Sequence, residues 1–506
     1  MKKQISRPVA WLMLAIFLGG AALLTGLSLY FYHSSIVIFL SLFLGYLFHG
    51  LTFSILMLIL SYLGLKQRSK KTPINKKKNT VSVAIPVFNE AEVIIASVDS
   101  ILKQSLKPFE IIIINDGSTD DTLQKLINVY QLKAITLDSI SNIKTTSIFN
   151  IYQSNKIKNL FVIDKQHQGK ADALNAALNI SRGEIFLTID ADSVLHHKAI
   201  EKLVQAIVND KLVIAAGGIV KAANGIPAKI LATEEGHLPS KLLPKIQWIE
   251  YSAGFVWRFG WSFINTLLLI SGSFGAFRTE VLRKCQGFDT KSITEDYEMV
   301  YRLHAYHLAN KIPYKMVTVP DALSYTLVPE TLFGLIKQRI RWFQGFLQTL
   351  LNYRQLVLRQ SYGVLGIFML PIKCIDAISP LWSISVYLFL AYQLIYQTFP
   401  ISTTLLIELV AIRWSIDIVM LWVLLALHYR FVIAPLTKKE RLYIWLLSPI
   451  YLLTNQFLWY VYSIGAYYRL IRGIKRWDKL ERRGFEQLQT SENFIVSKIA
   501  EKESVL

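Results

Sequence analysis

Residues 184–192 read EIFLTIDAD, an apolar run that stops at Asp190-Ala191-Asp192. A short run rich in β-branched and aromatic side chains, cut off by acids, marks a buried strand that delivers carboxylates to its carboxyl end. Working outward, VSVAIPV at 81–87, EIIIIND at 110–116 and VIAAGGIV at 213–220 have the same character. Helical segments such as Glu92–Lys103 and Lys170–Asn179 alternate with them. That alternation predicts a Rossmann-like α/β domain over about residues 81–355, with a mainly parallel sheet and helices on both faces. Ligands of such sheets bind outside the carboxyl ends of the strands.

Acids collect at those ends. Asp190 and Asp192 can hold a divalent cation between the protein and a diphosphate, and hard oxygen donors with few protein contacts suit Mg2+ or Mn2+. An isolated D-x-D is more often an acidic turn; the strand before it raises this one. The first strand opens into Phe88-Asn89-Glu90 and the second into Asn115-Asp116-Gly117. Asp116 can accept hydrogen bonds from a base or ribose while Gly117 lets the chain turn; an Asx-capped turn is the plainer alternative. Gly169-Lys170 opens a helix, and an ammonium at a helix N-terminus suits a phosphate, although every helix needs some start signal.

Two later motifs complete the set. After Ser271-Gly272-Ser273 comes Thr294-Glu295-Asp296 at a helix start. It serves either as a cap or, through Asp296, as a general base for an attacking hydroxyl. In Gln338-Arg339-Ile340-Arg341-Trp342, Gln338 and Arg341 share a helix face with Trp342 beside them. Arginine pairs with a leaving diphosphate and tryptophan stacks on a sugar ring. Standing alone, the pentad is better explained as an interfacial belt.

The rest of the chain is unusually apolar. Of 506 residues 53% are hydrophobic and 18% charged, yet the formal net charge is +20; mean hydropathy is +0.37 and the pI about 9.6. Disorder, collagen and disulfide scaffolds are excluded. Cys285 and Cys374 form no metal-binding or disulfide pattern and fit a reducing compartment. Val9–Phe31 and Ile36–Leu65 each exceed the ~20 residues a helix needs to cross a bilayer. They predict a hairpin anchor over 1–65 and not a cleaved leader. The linker 66–80 carries Lys66, Arg68, Lys70, Lys71, Lys76, Lys77 and Lys78 without an acid, which assigns it to the cytoplasmic side and argues against nucleic acid as the partner. Ala253–Ile270 is apolar but holds Arg258 and Asn265, and a crossing there would split the acidic motifs between two compartments; it is expected to be a helix of the α/β domain. An interfacial helix, Tyr362–Ser379, is expected within 356–380. Spans at Leu381–Thr398, Thr403–Leu427 and Leu442–Ile464 follow within 381–465, then a basic tail over 466–506. Three crossings would put that tail outside, whereas its charge favours the inside, and the sequence leaves both open.

Asp116, Asp190-Ala191-Asp192, Thr294-Glu295-Asp296 and Gln338-x-x-Arg341-Trp342, in this order between membrane segments, resemble the D, DxD, TED and QxxRW pattern of the processive family 2 glycosyltransferases. That group contains the cellulose, chitin, hyaluronan and poly-N-acetylglucosamine synthases. The resemblance covers about 82–345 and the flanking spans, and the anchor and short tail look most like the poly-β-1,6-N-acetylglucosamine group. It implies a GT-A fold in a multi-pass protein of the inner (plasma) membrane, with the catalytic domain cytoplasmic. It implies a UDP-sugar donor, a growing glycan or lipid acceptor, a Mg2+ or Mn2+ ion, and inversion at the anomeric carbon. Phe88, Glu90 and Asp116 would serve the nucleotide, Lys170 the diphosphate, and Asp192 the metal with Asp190 assisting. Asp296 would be the base, with Glu295 beside it. Gln338, Arg341 and Trp342 would hold diphosphate and acceptor. The implied activity is repeated addition of a sugar such as N-acetylglucosamine, coupled to export; membrane lipids and a small accessory membrane subunit are the further partners it leaves room for. Glu408, Arg413 and Asp417 are costly in lipid; Arg413 and Asp417 either neutralise each other or line a path for the glycan. The departures are Asn115-Asp116 in place of paired aspartates, Phe88 in place of a common tyrosine, and an insertion at about Val129–Leu160 with no evident function. Two alternatives are an enzyme making a single glycolipid bond and a non-catalytic transporter or scaffold with a nucleotide-binding domain.

Overall fold

The computed structural model describes residues 35–68, 80–233, 236–396, 403–432 and 436–474. The expected span Val9–Phe31, the basic run after Arg68 and the tail beyond Ile474 lie outside those residues.

Ten strands form one sheet: β1 (Val81–Val87), β2 (Glu110–Asp116), β3 (Leu132–Ile135), β4 (Ile148–Ser154), β5 (Leu160–Lys165), β6 (Ile185–Ile189), β7 (Ser193–Leu195), β8 (Val213–Ala222), β9 (Phe274–Arg278) and β10 (Lys315–Thr326). Their order is β3-β4-β5-β2-β1-β6-β9-β8-β10-β7. The centre, β5-β2-β1-β6, is parallel throughout. β9 runs antiparallel between β6 and β8. Ile111 to Ile114 are fully buried because both faces of β2 are covered by helices, as an unbroken apolar run requires. One face carries α1 (Ser35–Arg68), α2 (Ile94–Leu102) and α5 (Ala199–Val208) among its contacts; the opposite cluster is built on α4 (Lys170–Ile180). A further helix, α3 (Thr122–Tyr130), leads into the antiparallel edge β3-β4.

The insertion therefore extends the sheet. It also supports α4: Asn179 Oδ1 accepts from Ser141 Oγ (2.9 Å) and Ile143 N (2.9 Å), and Thr146 Oγ1 donates to Asp172 Oδ1 at 2.9 Å. The sequence carried no signal for that.

The apolar stretch around 253–270 is the second half of α6 (Leu242–Phe263) and the turn after it, within the α/β domain. α6 crosses α1 closely. A Cβ on Gly64 would sit 2.5 Å from the Phe259 carbonyl oxygen, and one on Gly260 2.8 Å from Ser61 Oγ, so small residues set the approach of the two backbones. Besides two six-residue helices, Ala228–Thr233 and Thr279–Lys284, the remaining helices are α7 (Glu295–Ala309), α8 (Leu332–Asn352), α9 (Leu370–Tyr396), α10 (Thr403–Phe431) and α11 (Lys438–Ile471). A π turn at Leu365–Met369 leads into α9, which continues through Pro380. The expected interfacial helix and the first expected C-terminal span are thus largely one helix, on which Lys373 and Asp376 pair with each other at 2.7 Å.

Three helices among the described residues are long and apolar enough to cross a membrane, through Gly50–Gln67, Leu365–Ile384 and Val410–Phe431. α11 is not one of them; Ser448, Thr454, Asn455 and Gln456 dilute its apolar run. Arg413 and Asp417 pair on α10 at 2.9 Å, and a Cβ on Gly50 of α1 would lie 3.2 Å from the Arg413 guanidinium.

Candidate active site

Three side-chain groups gather at the carboxyl end of the parallel strands. The first surrounds Asp116, the last residue of β2. The carboxylate is buried, and its Oδ1 accepts from Lys165 Nζ (2.6 Å) and Gln168 N (3.1 Å) while Oδ2 accepts from Gly169 N (2.7 Å). Lys165, fully buried at the end of β5, also pairs with Asp172 Oδ1 at 2.8 Å. Asp116 thereby fixes the loop 166–169 that starts α4. Gly117 has φ +66, and a Cβ there would meet His167 N at 2.9 Å, so only glycine fits this turn. Above it Phe88 stacks on His167 with ring centroids 4.3 Å apart and 27° between planes. Asn89 closes the wall by accepting from Thr119 N (2.6 Å) and Asp120 N (3.2 Å). Glu90 joins it through its backbone, donating to Thr122 Oγ1 at 2.9 Å.

The second group is electrostatic. Lys170, the first residue of α4, donates to Asp190 Oδ1 at 2.6 Å and pairs with Glu295 Oε1 at 3.2 Å. Burial works against its charge, but Asp190, Glu295 and Asp296 outweigh that and hold its pKa above the ordinary lysine value. Asp296 accepts from Gly272 N (2.9 Å) at Oδ2 and from Tyr297 N (2.8 Å) at Oδ1. Burial, then the neighbouring Glu295 carboxylate, push its pKa above the usual carboxylate range, with Lys170 and the two backbone bonds opposing. A Cβ on Gly272 would lie 2.9 Å from Lys170 Nζ and 3.1 Å from Asp296 Cβ, so the glycine leaves the space above both. Arg258 of α6 stacks on Phe255 (4.2 Å) and has no ion pair among the described residues; burial lowers its pKa to about 10, against the pull of Asp296.

Asp192 is buried, and Thr326 Oγ1 lies 3.3 Å from its Oδ2. Asp190 is partly exposed. Among the described residues no third Asp, Glu, His or Cys joins these two to form a closed metal cluster. Two carboxylate donors from one strand end fit Mg2+ or Mn2+, which keep several waters and take phosphate oxygens as ligands.

The third group lies on α8. Gln338 Oε1 is buried without a hydrogen-bond partner among the described residues, Arg341 is partly buried, and Trp342 is 38% exposed. Arg339, between the motif positions, is buried and pairs with Glu250 of α6 at 2.7 Å. Its guanidinium lies 4.1 Å from the Trp342 ring centroid and 5.9 Å from that of Tyr251, and Tyr251 stacks with Trp342 at 6.5 Å. Burial raises the Tyr251 pKa, opposed by Arg339.

The structure thus brings Lys170, Asp190 and Glu295 together, with Asp296 beside them and Asp116 holding the loop before Lys170, while Gln338, Arg341 and Trp342 lie together on α8. Lys165, His167, Arg339, Glu250 and Tyr251 were missed. Lys165 had a signal, a lysine closing an otherwise buried strand; Glu250 and Tyr251 had none, being distant in sequence from what they touch.

Residues 82–282 match the family model described as glycosyl transferase family 2, and residues 185–463 match the one described as glycosyl transferase family group 2. The chain is 30% identical over 274 residues to a poly-beta-1,6-N-acetyl-D-glucosamine synthase of Staphylococcus epidermidis, covering 54% of this chain and 56% of the relative. It is 29% identical over 287 residues to a synthase of the same name from Staphylococcus aureus, covering 56% and 59%. The chain thus spans little more than half the length of these relatives. A mannosyltransferase from Pyrobaculum calidifontis, solved in complex with GDP-Man and Mn2+, shares the fold with a TM-score of 0.50 at 19% identity, over 83% of this chain and 97% of that one.

Proposed function

The chain belongs to the family 2 glycosyltransferases, and from that premise we propose that it adds N-acetylglucosamine from UDP-N-acetylglucosamine repeatedly to a β-linked glycan at the membrane. The observation that carries this is the meeting of Lys170, Asp190, Glu295 and Asp296 around Gly272, with the stacked Arg339–Trp342–Tyr251 group beside it. Such a reaction needs a base on one side of the sugar and positive charge on the other, because a neutral hydroxyl attacks and a diphosphate leaves. Asp296 is suited to be the base. Its carboxylate is held by two backbone N–H groups and its pKa is raised, so it is a better proton acceptor than an exposed aspartate. In the proposed reaction it takes the proton of the acceptor hydroxyl as that oxygen bonds to the anomeric carbon, and the bond to the UDP oxygen breaks with inversion.

Lys170 is suited to supply the positive charge, since its ammonium stays charged and sits at the start of α4. Asp192 and Asp190 would hold a divalent ion, which when bound supplies further positive charge against the diphosphate. Phe88 and His167 offer the flat apolar wall for the uracil, on a loop fixed by Asp116. Gln338 and Arg341 would steady the diphosphate, and Trp342 the acceptor sugar. Names of the staphylococcal relatives support N-acetylglucosamine as the sugar and a polymer as the product.

Membrane vesicles containing the protein, given radiolabelled UDP-N-acetylglucosamine and Mn2+, test this. Long polymer lost in Asp296→Asn is the expected result. A single labelled sugar on lipid would overturn the repeated addition, preference for UDP-glucose would overturn the sugar, and turnover retained in Asp296→Asn would overturn the base.

A further inference from the structure

The last two turns of α10 and the first two turns of α11 border a widely open cavity of about 370 Å³ that none of the groups above uses. Ala426, Tyr429, Arg430, Arg441, Leu442 and Trp445 line it. It lies at the end of the apolar stretch Val410–Phe431, on the side where Leu424, Leu425, Val432 and Ile444 pack into the core of the α/β domain. With Val410–Phe431 spanning a bilayer, this end would lie at headgroup level on the face that carries the α/β domain.

The cavity is built around uncompensated positive charge. Neither Arg430 nor Arg441 has a carboxylate partner among the described residues. Arg430 rests on Phe431 (5.5 Å); Arg441 donates Nε to the Leu436 carbonyl (2.9 Å) and lies over Tyr429 (5.5 Å). The nearest acid in sequence, Glu440, is engaged elsewhere. Its Oε2 accepts from Thr437 N (2.9 Å) and Thr437 Oγ1 (2.7 Å) in the capping box that starts α11. Lys438 and Lys439 add two more cations to that same turn. The other wall is aromatic and rigid: Trp445 stacks on Trp422 at 5.6 Å, and Trp422 donates Nε1 to Ser448 Oγ at 2.8 Å. From the mouth, Leu442, Leu446, Ile450 and Phe457 continue along α11 as one exposed apolar stripe, 49–69% accessible.

We propose that this cavity binds the phosphate headgroup of an anionic phospholipid. The two guanidinium groups take the phosphate and the stripe on α11 takes the acyl chains. A free phosphate or nucleotide would use the arginines but leave the stripe without purpose, whereas a zwitterionic lipid would use the stripe but bring its own cation to the arginines. A basic pocket between membrane helices at headgroup level is the arrangement that anionic lipids recognise. The inference is independent of which sugar or acceptor the enzyme uses.

The test is lipid retention by the full-length protein, purified from membranes, exchanged into detergent with defined phosphatidylglycerol or phosphatidylcholine, and weighed by native mass spectrometry. Wild type should retain phosphatidylglycerol in preference to phosphatidylcholine. Each arginine near a membrane surface is worth roughly 1 kcal/mol, or about fivefold, so Arg430→Ala should weaken retention about fivefold and the pair Arg430→Ala/Arg441→Ala about 25-fold. Arg430→Lys/Arg441→Lys should keep most of it. Arg430 is exposed, so its single substitution gives a folded protein if the double variant fails. Equal retention of the two lipids, or undiminished retention in Arg430→Ala, overturns the proposal. Displacement of the lipid by inorganic phosphate alone overturns the choice of a lipid over a free anion.

Discussion

Replacing Glu295 by Gln and, separately, Lys170 by Met should move the acid limb of turnover in opposite directions. Asp296 as a base works only when deprotonated, so kcat falls as the pH drops through its raised pKa. Glu295 is one of the causes of that raised value and Lys170 opposes it. Removing the carboxylate therefore lowers the pKa of Asp296 and carries the limb to more acid pH. Removing the ammonium raises it and carries the limb to more alkaline pH. A Cβ on Gly272 would sit 2.9 Å from Lys170 Nζ and 3.3 Å from Asp296 Oδ2, so the two atoms are at most about 6 Å apart. At an effective dielectric near 20, unit charges at that distance interact by about 2.8 kcal/mol, or about two pH units. Partial exposure of both side chains screens this to roughly one unit. The assay is UDP release at saturating donor and Mn2+, read as kcat against pH for wild type and each variant; only the position of the limb matters, so a slow variant is still informative. Both variants lose the 3.2 Å pair between Lys170 and Glu295, so a general loosening of the site would shift both limbs the same way. Limbs that stay in place, or move together, refute Asp296 as the titrating base.

Lys165→Met should cost about 3–5 kcal/mol of domain stability, because it strands the carboxylates of Asp116 and Asp172, both buried, around a lost cation; an unchanged thermal midpoint would show that the cluster is better solvated than its burial implies. Arg339→Met removes the buried cation that holds Trp342, worth about 2 kcal/mol, so elongation should slow about thirtyfold with the donor KM unchanged. A raised donor KM with kcat intact would assign Arg339 to the nucleotide side instead.

What the sequence disclosed follows from how local each signal is. β1 and β2 were legible because a strand covered on both faces has to be apolar along its whole length, although β2 runs on through Asn115 and Asp116, where the sequence suggested that it opens into a turn. Asp190, Asp192 and Asp296 were legible because an acid directly after such a strand, or at a helix start, stands out against its neighbours. Asp116 was legible as a position but not in its contacts, since Lys165, Gln168 and Gly169 reach it from another strand and loop. Thr294 was open to reading as a cap, yet its hydroxyl caps nothing. The interfacial helix and the first C-terminal span, expected as separate elements, are one continuous helix that runs through Pro380, with Lys373 and Asp376 paired one turn apart on it.

The position of Thr294 also explains how the two halves of the site are supported. A Cβ on Gly345 of α8 would collide with Thr294 Oγ1, so the start of α7 is pressed against the helix that bears Trp342. Gln348 of α8 reinforces this by accepting the N–H of Ile293 at 3.0 Å. The carboxylate of Asp296 and the indole of Trp342 are thus mounted on two helices in contact. α8 in turn packs on α11, where a Cβ on Gly465 would meet Ile340 at 2.7 Å and where Gln344 donates to the Ile474 carbonyl at 2.6 Å. The proposed nucleotide side has a different foundation: Asp116 and Lys165 close adjacent strands of the parallel sheet, paired residue for residue. One wall of the site is therefore as rigid as the sheet, while the other is carried by helices that lean on the membrane-facing layer. Under the proposed function, a glycan that shifts by one sugar after each addition would need movement on the acceptor side and none on the donor side, which is the side that the sheet holds.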